Sequence, residues 1–137
     1  MRKIIILVFS LSIILSSCQI NEKVIGVWVR TGDSFAGMKV EVKKIGDVTN
    51  GTIIYCPNSM KRSGFINGDI KWKGILQIEG NNYEYTDLMK KVNQYGTILD
   101  VSYDIARMVI TKDMIKIRMY TKGTESMGTE QIWLREK

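Results

Sequence analysis

The fold class of this chain is decided by residues 76–85, LQIEGNNYEY. Apolar and polar side chains alternate on both sides of the central Gly80, a pattern typical of two half-buried strands. Glycine followed by asparagine suits a two-residue turn, because glycine readily adopts a positive φ. Outward pairing from this turn predicts an antiparallel hairpin with aromatic and aliphatic side chains on one face. The side chains predicted on this inner face are Leu76, Ile78, Tyr83 and Tyr85.

A second hairpin is predicted within residues 106–119, with a two-residue turn at its centre. Outward pairing sets Arg107 against Arg118 on one face, where the two charges repel unless a carboxylate lies nearby. We predict that Asp104 or Glu130 supplies that carboxylate. The opposite face is apolar throughout and comprises Ala106, Met108, Ile110, Ile115, Ile117 and Met119.

The remaining sequence is punctuated by turn residues at short intervals, which predicts further short strands. These strands are residues 24–30, 38–43, 52–56, 70–73 and 129–136. Residues 57–64 are predicted to be a polar loop, and residues 87–96 a short helical turn, with a strand end and a loop as the alternative. We therefore predict an all-β domain over residues 24–137, a single antiparallel meander closed into a barrel of about eight strands. The side chains expected to line its lumen are Met38, Val40, Val42, Leu76, Ile78, Tyr83, Tyr85, Met108, Ile117 and Met119.

The start of the chain has the features of an export signal. Two basic residues precede the apolar residues 4–15, and small residues follow. The apolar run is about twelve residues, too short to span a bilayer comfortably as a helix. The ending Leu-Ser-Ser-Cys18 resembles the lipobox of bacterial lipoproteins, which implies cleavage after residues 1–17 and lipidation of Cys18. Residues 18–23 would then be a lipidated tether.

Further implications follow from the resemblance to bacterial lipoproteins. It places the protein in the cell envelope, attached to a membrane through fatty acyl groups such as palmitate. Gln19 after the cysteine favours the outer membrane of a bacterium with two membranes, on its periplasmic or its outer face. Without the two basic residues of the signal, 18 basic and 14 acidic side chains remain. A modest basic excess suits a protein held beside anionic lipid or glycan.

Three short segments resemble parts of lipocalin-like barrels. Gly26 and Trp28 form the Gly-x-Trp that opens the first strand of such barrels, and residues 115–120 and 131–135 resemble the end of small exported members. The resemblance implies that the glycine lets the strand start bend and that the tryptophan closes the barrel floor. It also implies that a basic side chain from a late strand, Arg118 or Arg135, lies on the tryptophan ring. The chain is shorter than typical lipocalins and lacks their usual disulfide.

Several kinds of chemistry are disfavoured by the composition. Without any histidine, a Ser-His or Cys-His nucleophile pair and the usual zinc sites are excluded. The nearest paired carboxylates, Asp100 and Asp104, would lie about 13 Å apart on a strand at roughly 3.3 Å per residue, too far to act together. No catalytic residue, metal or cofactor is therefore predicted. Because no run of like charges exceeds two, no nucleic-acid partner is predicted either.

Two non-enzymatic functions remain, with a monomer expected in both. One is a membrane-anchored binding barrel for a small apolar or amphipathic molecule, whose lumen would be lined by adaptable methionines. The other is an envelope structural module, or one that interacts with protein or glycan, and it has a fully packed interior. Cys56 would be the single thiol left after lipidation, so it is most simply a small buried apolar side chain, with a reactive thiol as the alternative.

Overall fold

The computed structural model describes residues 23–121, 124–125 and 130–137. Eight antiparallel strands form one meander that closes into a barrel, because the last long strand pairs with the first. A ninth, two-residue strand pairs only with its predecessor in sequence. The elements are β1 (Gly26–Thr31), β2 (Lys39–Ile45), β3 (Val48–Tyr55), α1 (Asn58–Arg62), β4 (Ile70–Glu79), β5 (Asn82–Val92), β6 (Ile98–Thr111), β7 (Met114–Thr121), β8 (Thr124–Glu125) and β9 (Gln131–Arg135). The predicted fold class is confirmed.

The two ends of the barrel differ in their connections. At the lower end lie the start of β1, the end of β9 and the tight turns β2–β3, β4–β5 and β6–β7. At the upper end lie the β1–β2 loop, the β5–β6 loop and the longer β3–β4 connection that contains α1. Long connections therefore gather at the upper end.

The β6–β7 hairpin has the predicted register. Ala106 pairs with Met119, and the ladder runs without a bulge to the turn. Val109 faces Lys116 on the outside. Ala106, Met108, Ile110, Ile115 and Ile117 are at most 1% exposed, and the Met119 side chain lies outside the described part of the chain. The sequence pattern succeeded here because every residue between the two strand ends is paired one to one.

The predicted register of the β4–β5 hairpin is wrong. The turn is where the sequence placed it, with Glu79 opposite Asn82, but the ladder then shifts so that Gln77 faces Tyr83. The one-residue shift turns Leu76 and Ile78 outward, 65% and 53% exposed, whereas both were expected in the lumen. A bulge reverses the facing of every residue beyond it, because side chains alternate along a strand.

Beyond this shift, a second irregularity restores the inward facing of β4. The ladder shifts again between Lys73 and Leu76, and Gly74 adopts a positive φ of 66° in that interval. Ile75, only 1% exposed, takes the interior place predicted for Leu76.

Two loop predictions also need correction. Residues 87–92 continue β5, and only residues 93–97 form the turn, so the alternative of a strand end and a loop is right. Pairing with β6 along the whole of β5 outweighed the helical spacing of a few apolar residues. The predicted polar loop at 57–64 contains the short helix α1, whose Met60 is 1% exposed. One buried methionine therefore anchors the β3–β4 connection to the core.

Candidate binding site at the upper end of the barrel

The lower end of the barrel is closed by Trp28 and Arg135. Trp28 is fully buried, and its indole Nε1 donates to Val24 O at 2.8 Å. The guanidinium carbon of Arg135 lies 4.3 Å from the centre of the Trp28 ring, within cation–π range. Arg135 Nη1 also donates to Ile25 O at 2.7 Å, and Nε lies 3.3 Å from Asp113 Oδ1. One side chain of the last strand thus joins the start of the first strand to the β6–β7 turn.

Gly26 makes room for this contact. Its φ of +133° is one that other residues rarely adopt, and a Cβ placed there would lie 2.8 Å from Arg135 Nη1. The Gly-x-Trp spacing therefore has a local physical reason: the glycine admits the guanidinium that covers the tryptophan.

Arg118, the other candidate for the barrel floor, does not lie over Trp28. Its side chain is 60% exposed, and its Nε lies 3.1 Å from Glu130 Oε2. Glu130 is thus one of the two carboxylates expected beside this arginine. The prediction that Asp104 or Glu130 supplies the carboxylate is therefore met by Glu130, and Arg107 lies 3.4 Å from Glu84 Oε2. Arg118 points outward because the β6–β7 register places it opposite Arg107 on the outer face.

The contact between Trp28 and Arg135 should show measurable energetic coupling. In a double-mutant cycle of Trp28→Phe and Arg135→Met, we expect a coupling of about 0.5–2 kcal/mol in the free energy of unfolding. The matched control replaces Arg118 with Met, which should be additive with Trp28→Phe within about 0.3–0.5 kcal/mol. If urea denaturation shows that Arg118 and Arg135 are coupled equally to Trp28, the contact between Trp28 and Arg135 is not specific.

The upper half of the interior contains an ion pair. Lys71 and Asp87 are 3% and 1% exposed, and Lys71 Nζ donates to Asp87 Oδ1 at 2.6 Å and to Leu88 O at 2.8 Å. The ammonium also lies 5.0 Å from the centre of the Phe65 ring. Phe65 in turn lines a surface cavity of about 600 Å³ at the upper end. A buried pair of this kind is costly to desolvate, so it marks a place where charge has a role.

Three polar atoms beside the ion pair have no hydrogen-bond partner among the described residues. They are Trp72 Nε1, Tyr85 Oη and Asp87 Oδ2. Trp72 and Asp87 face each other across β4 and β5, and the Trp72 and Tyr85 rings meet edge to face with centroids 6.0 Å apart. We call Arg30, Lys71, Trp72, Tyr85 and Asp87 the interior polar cluster. Because buried polar groups are normally satisfied, these three atoms make this part of the interior the candidate site for a bound hydrogen-bonding molecule.

The electrostatics of the interior polar cluster are dominated by burial. Burial raises the pKa of Asp87, and the ammonium of Lys71 and the guanidinium of Arg30 oppose this shift. Burial, reinforced by the Asp87 carboxylate, holds the pKa of Tyr85 well above its ordinary value. Tyr85 therefore keeps its hydroxyl proton at neutral pH and can donate it.

The cluster lies where the barrel interior meets solvent. Along the inward face of β5, Tyr85 and Asp87 are buried but Met89 is 40% exposed. Across the β5–β6 ladder, Ala106 is buried whereas Asp104, the partner of Asp87, is exposed. The cluster is thus the last buried layer before the upper mouth.

Most of the side chains predicted for the lumen are buried. The structure places Met38, Val40, Val42, Tyr83, Tyr85, Met108 and Ile117 in the core, each at most 2% exposed. Trp72 and Trp133 are also fully buried, with centroids 4.7 Å apart, and sequence reasoning did not place either of them there. The signal was available for Trp72, which lies between two lysines on a short strand, but not for Trp133, whose neighbours Ile132 and Leu134 are both apolar. Together the buried side chains fill much of the interior.

Other residues singled out from the sequence lie away from the cluster. Asp100 and Asp104 are both exposed. Cys56 is 2% exposed, and its Sγ–H donates to Phe65 O at 3.4 Å. Burial raises the pKa of this thiol, which disfavours the reactive thiolate. Cys18 and residues 1–17 lie outside the described residues.

No helix in the described part of the chain is long and apolar enough to cross a bilayer. Within residues 23–121, 124–125 and 130–137, no three His, Cys, Asp or Glu side chains group closely enough to hold a metal ion. Comparisons with protein-family models, with curated proteins and with solved structures found no match. The structure itself shows an antiparallel eight-stranded closed barrel, which is compatible with a lipocalin-like barrel.

Proposed function

We propose that this protein is a lipid-anchored, non-enzymatic binding barrel of the bacterial cell envelope, which takes a small amphipathic molecule at its upper mouth. The observation that carries the binding proposal is the set of three unpartnered buried polar atoms in the interior polar cluster. These atoms lie directly below Met89 and Asp104, which are at inward positions of their strands but are exposed to solvent. A ligand there replaces water at atoms that the protein leaves unpaired.

The chemistry of the cluster narrows the polar group of the ligand. Asp87 Oδ2 accepts a hydrogen bond, Trp72 Nε1 donates one, and the Tyr85 hydroxyl does either. Lys71 and Arg30 are already engaged by Asp87 and Asp33. A neutral hydroxyl or amide group, which both donates and accepts, fits this set better than a carboxylate or an ammonium. The apolar part of the molecule would lie against Met89 at the mouth.

The lipid anchor is supported by the sequence alone. The lipobox-like ending at Cys18 and the short apolar run before it are the features of a lipoprotein signal. Within the proposal, Gln19 favours the outer membrane in a bacterium with two membranes, and the mature protein is a monomer.

A second candidate function is an envelope module that interacts with protein or glycan through its surface. The filled interior favours it, since Trp28, Trp72 and Trp133 are all fully buried. In that case the cluster holds only water, and the barrel is a rigid support for its loops.

Native mass spectrometry of gently purified protein separates the two candidates. For a binding barrel we expect a bound small molecule that is lost from Tyr85→Phe and retained by Tyr83→Phe, which removes a hydroxyl lower on the same face of β5. A ligand-free parent in which Tyr85→Phe raises the melting temperature would contradict ligand binding. A hydroxyl buried without a partner lowers the free energy of unfolding by a desolvation cost of about 1–3 kcal/mol. Removing it should therefore stabilise the fold by about that amount.

A further inference from the structure

The lower end of the barrel has apolar side chains that are exposed and do not belong to the core. Ile45 and Val48 face each other at the tip of the β2–β3 hairpin and are 78% and 51% exposed. Leu76 and Ile78, on the lower part of β4, are 65% and 53% exposed. We call Ile45, Val48, Leu76 and Ile78 the lower apolar set. Apolar side chains are also exposed at the upper end, such as Ile66 and Leu99 at 62% and 66%, so it is the position of the lower apolar set beside the start of β1 that makes it the candidate contact surface.

The β2–β3 hairpin extends beyond the start of the neighbouring strand β1 at the lower end. Val42 pairs with Gly26 at the start of β1, so residues 43–48 extend past the last β1 partner. Three residues of strand reach about 10 Å at roughly 3.3 Å per residue. The outward residues of this projection are an exposed lysine, Lys43, and the two aliphatic residues at its tip. Apolar residues beside a basic one suit the interface of an anionic bilayer.

The position of Lys23 determines which end of the barrel lies nearest to Cys18. Lys23 is at the lower end, where its Nζ donates to Asn81 Oδ1 in the β4–β5 turn and its carbonyl accepts from Arg135. It lies five positions after Cys18, with four residues between, a reach of at most about 18 Å even when fully extended. A lipid on Cys18 therefore holds the lower end, not the upper mouth, against the membrane.

We infer that the lower apolar set docks on the anionic lipid bilayer to which Cys18 is attached, which directs the upper mouth away from the membrane. This inference rests on the anchor of the proposed function. The basic excess of the chain favours an anionic surface, although Asp47 and Glu79 also lie at this end. The aliphatic side chains of the hairpin tip then enter the headgroup layer, and the barrel stands upright on the bilayer.

The test is fluorescence quenching in vesicles of phosphatidylcholine and phosphatidylglycerol that contain brominated lipid. The three native tryptophans are fully buried, so a new exposed tryptophan dominates contact quenching. The lipidated mature protein carries either Ile45→Trp at the hairpin tip or Tyr95→Trp, the matched control, in the β5–β6 loop at 82% exposure. We expect brominated lipid to remove most of the Ile45→Trp signal and to leave Tyr95→Trp unchanged.

Fatty-acid labelling, with Cys18→Ala as its control, separates failure of the docking from failure of the anchor. If the parent is labelled but Ile45→Trp is not quenched more than Tyr95→Trp, the docking inference is overturned and the anchor stands. If the parent and Cys18→Ala are labelled equally, or neither is labelled, the anchor falls and the docking inference falls with it.

Discussion

Replacing Lys71 with methionine should lower the free energy of unfolding by about 3–5 kcal/mol. Lys71 is 3% exposed and is the ion-pair partner of Asp87, which is 1% exposed. Removing one member of a buried pair leaves the other charge without compensation. Lys73→Met, two residues along the same strand but exposed, is the matched control and should change stability by no more than about 1 kcal/mol, the loss of its contact with the Tyr103 ring. Urea denaturation of both variants measures the difference.

Removing both charges should restore much of the loss. A Lys71→Met/Asp87→Leu double variant replaces the pair with apolar side chains of similar size, a change that is often neutral in buried positions. A double variant as unstable as Lys71→Met alone would show that the loss comes from packing and not from the uncompensated carboxylate.

The pH dependence of Lys71→Met follows from the raised pKa of Asp87. Because burial raises this pKa above 3.8 in the folded protein, the folded state holds the proton more tightly than the unfolded state. The contribution of Asp87 to stability is therefore largest below pH 3.8 and falls as the pH rises through the raised pKa. Lys71 opposes the shift, so its removal extends this fall to higher pH. The penalty of Lys71→Met should grow from acidic to neutral pH, and a penalty that shrinks would contradict this assignment.

Met108→Asp should unfold the barrel or destabilise it by several kcal/mol, against a total stability of about 5–15 kcal/mol for a domain of this size. Met108 is fully buried on β6 between Tyr83 and Ile117 of the neighbouring strands. Val109→Asp, one residue further on, places the same carboxylate on the outer face beside Lys116, at a position 40% exposed. Thermal melts followed by circular dichroism should separate the two variants by tens of degrees in the melting temperature, at about 4–8 °C per kcal/mol. Equal melting temperatures would contradict the facing of β6.

The parts of the fold that sequence reasoning found are those where pairing is uninterrupted. The β6–β7 hairpin alternates without a bulge, so its register could be counted outward from the turn. The β4–β5 hairpin could not be counted in this way, because bulges near Ile78 and Gly74 leave no sign in the polar and apolar pattern. Local turn chemistry fixes where a hairpin reverses, but tertiary packing fixes where its strands slip.

The interior polar cluster was beyond sequence reasoning for a different reason. A lysine or an aspartate in a strand is far more often solvated than buried, so Lys71 and Asp87 carried no distinguishing signal. Only the fold brings them together, since they lie on neighbouring strands 16 residues apart in sequence. Arg135 and Gly26 were accessible through the resemblance to lipocalin-like barrels, but the close approach of their atoms required coordinates.

The closure of the barrel by Arg135 also has a consequence for the order of folding during synthesis. The hydrogen bond from Arg135 to Ile25 O joins residues 110 positions apart, and β1 pairs with β9 on one of its two edges. When β1 leaves the ribosome, the strand that will cover this edge has not yet been made. Contacts of such long sequence separation form late and fold slowly, and an uncovered strand edge invites aggregation in the meantime. Until β9 is available this edge of β1 stays uncovered, so a chain truncated before Gln131 should form an open sheet in place of a closed barrel.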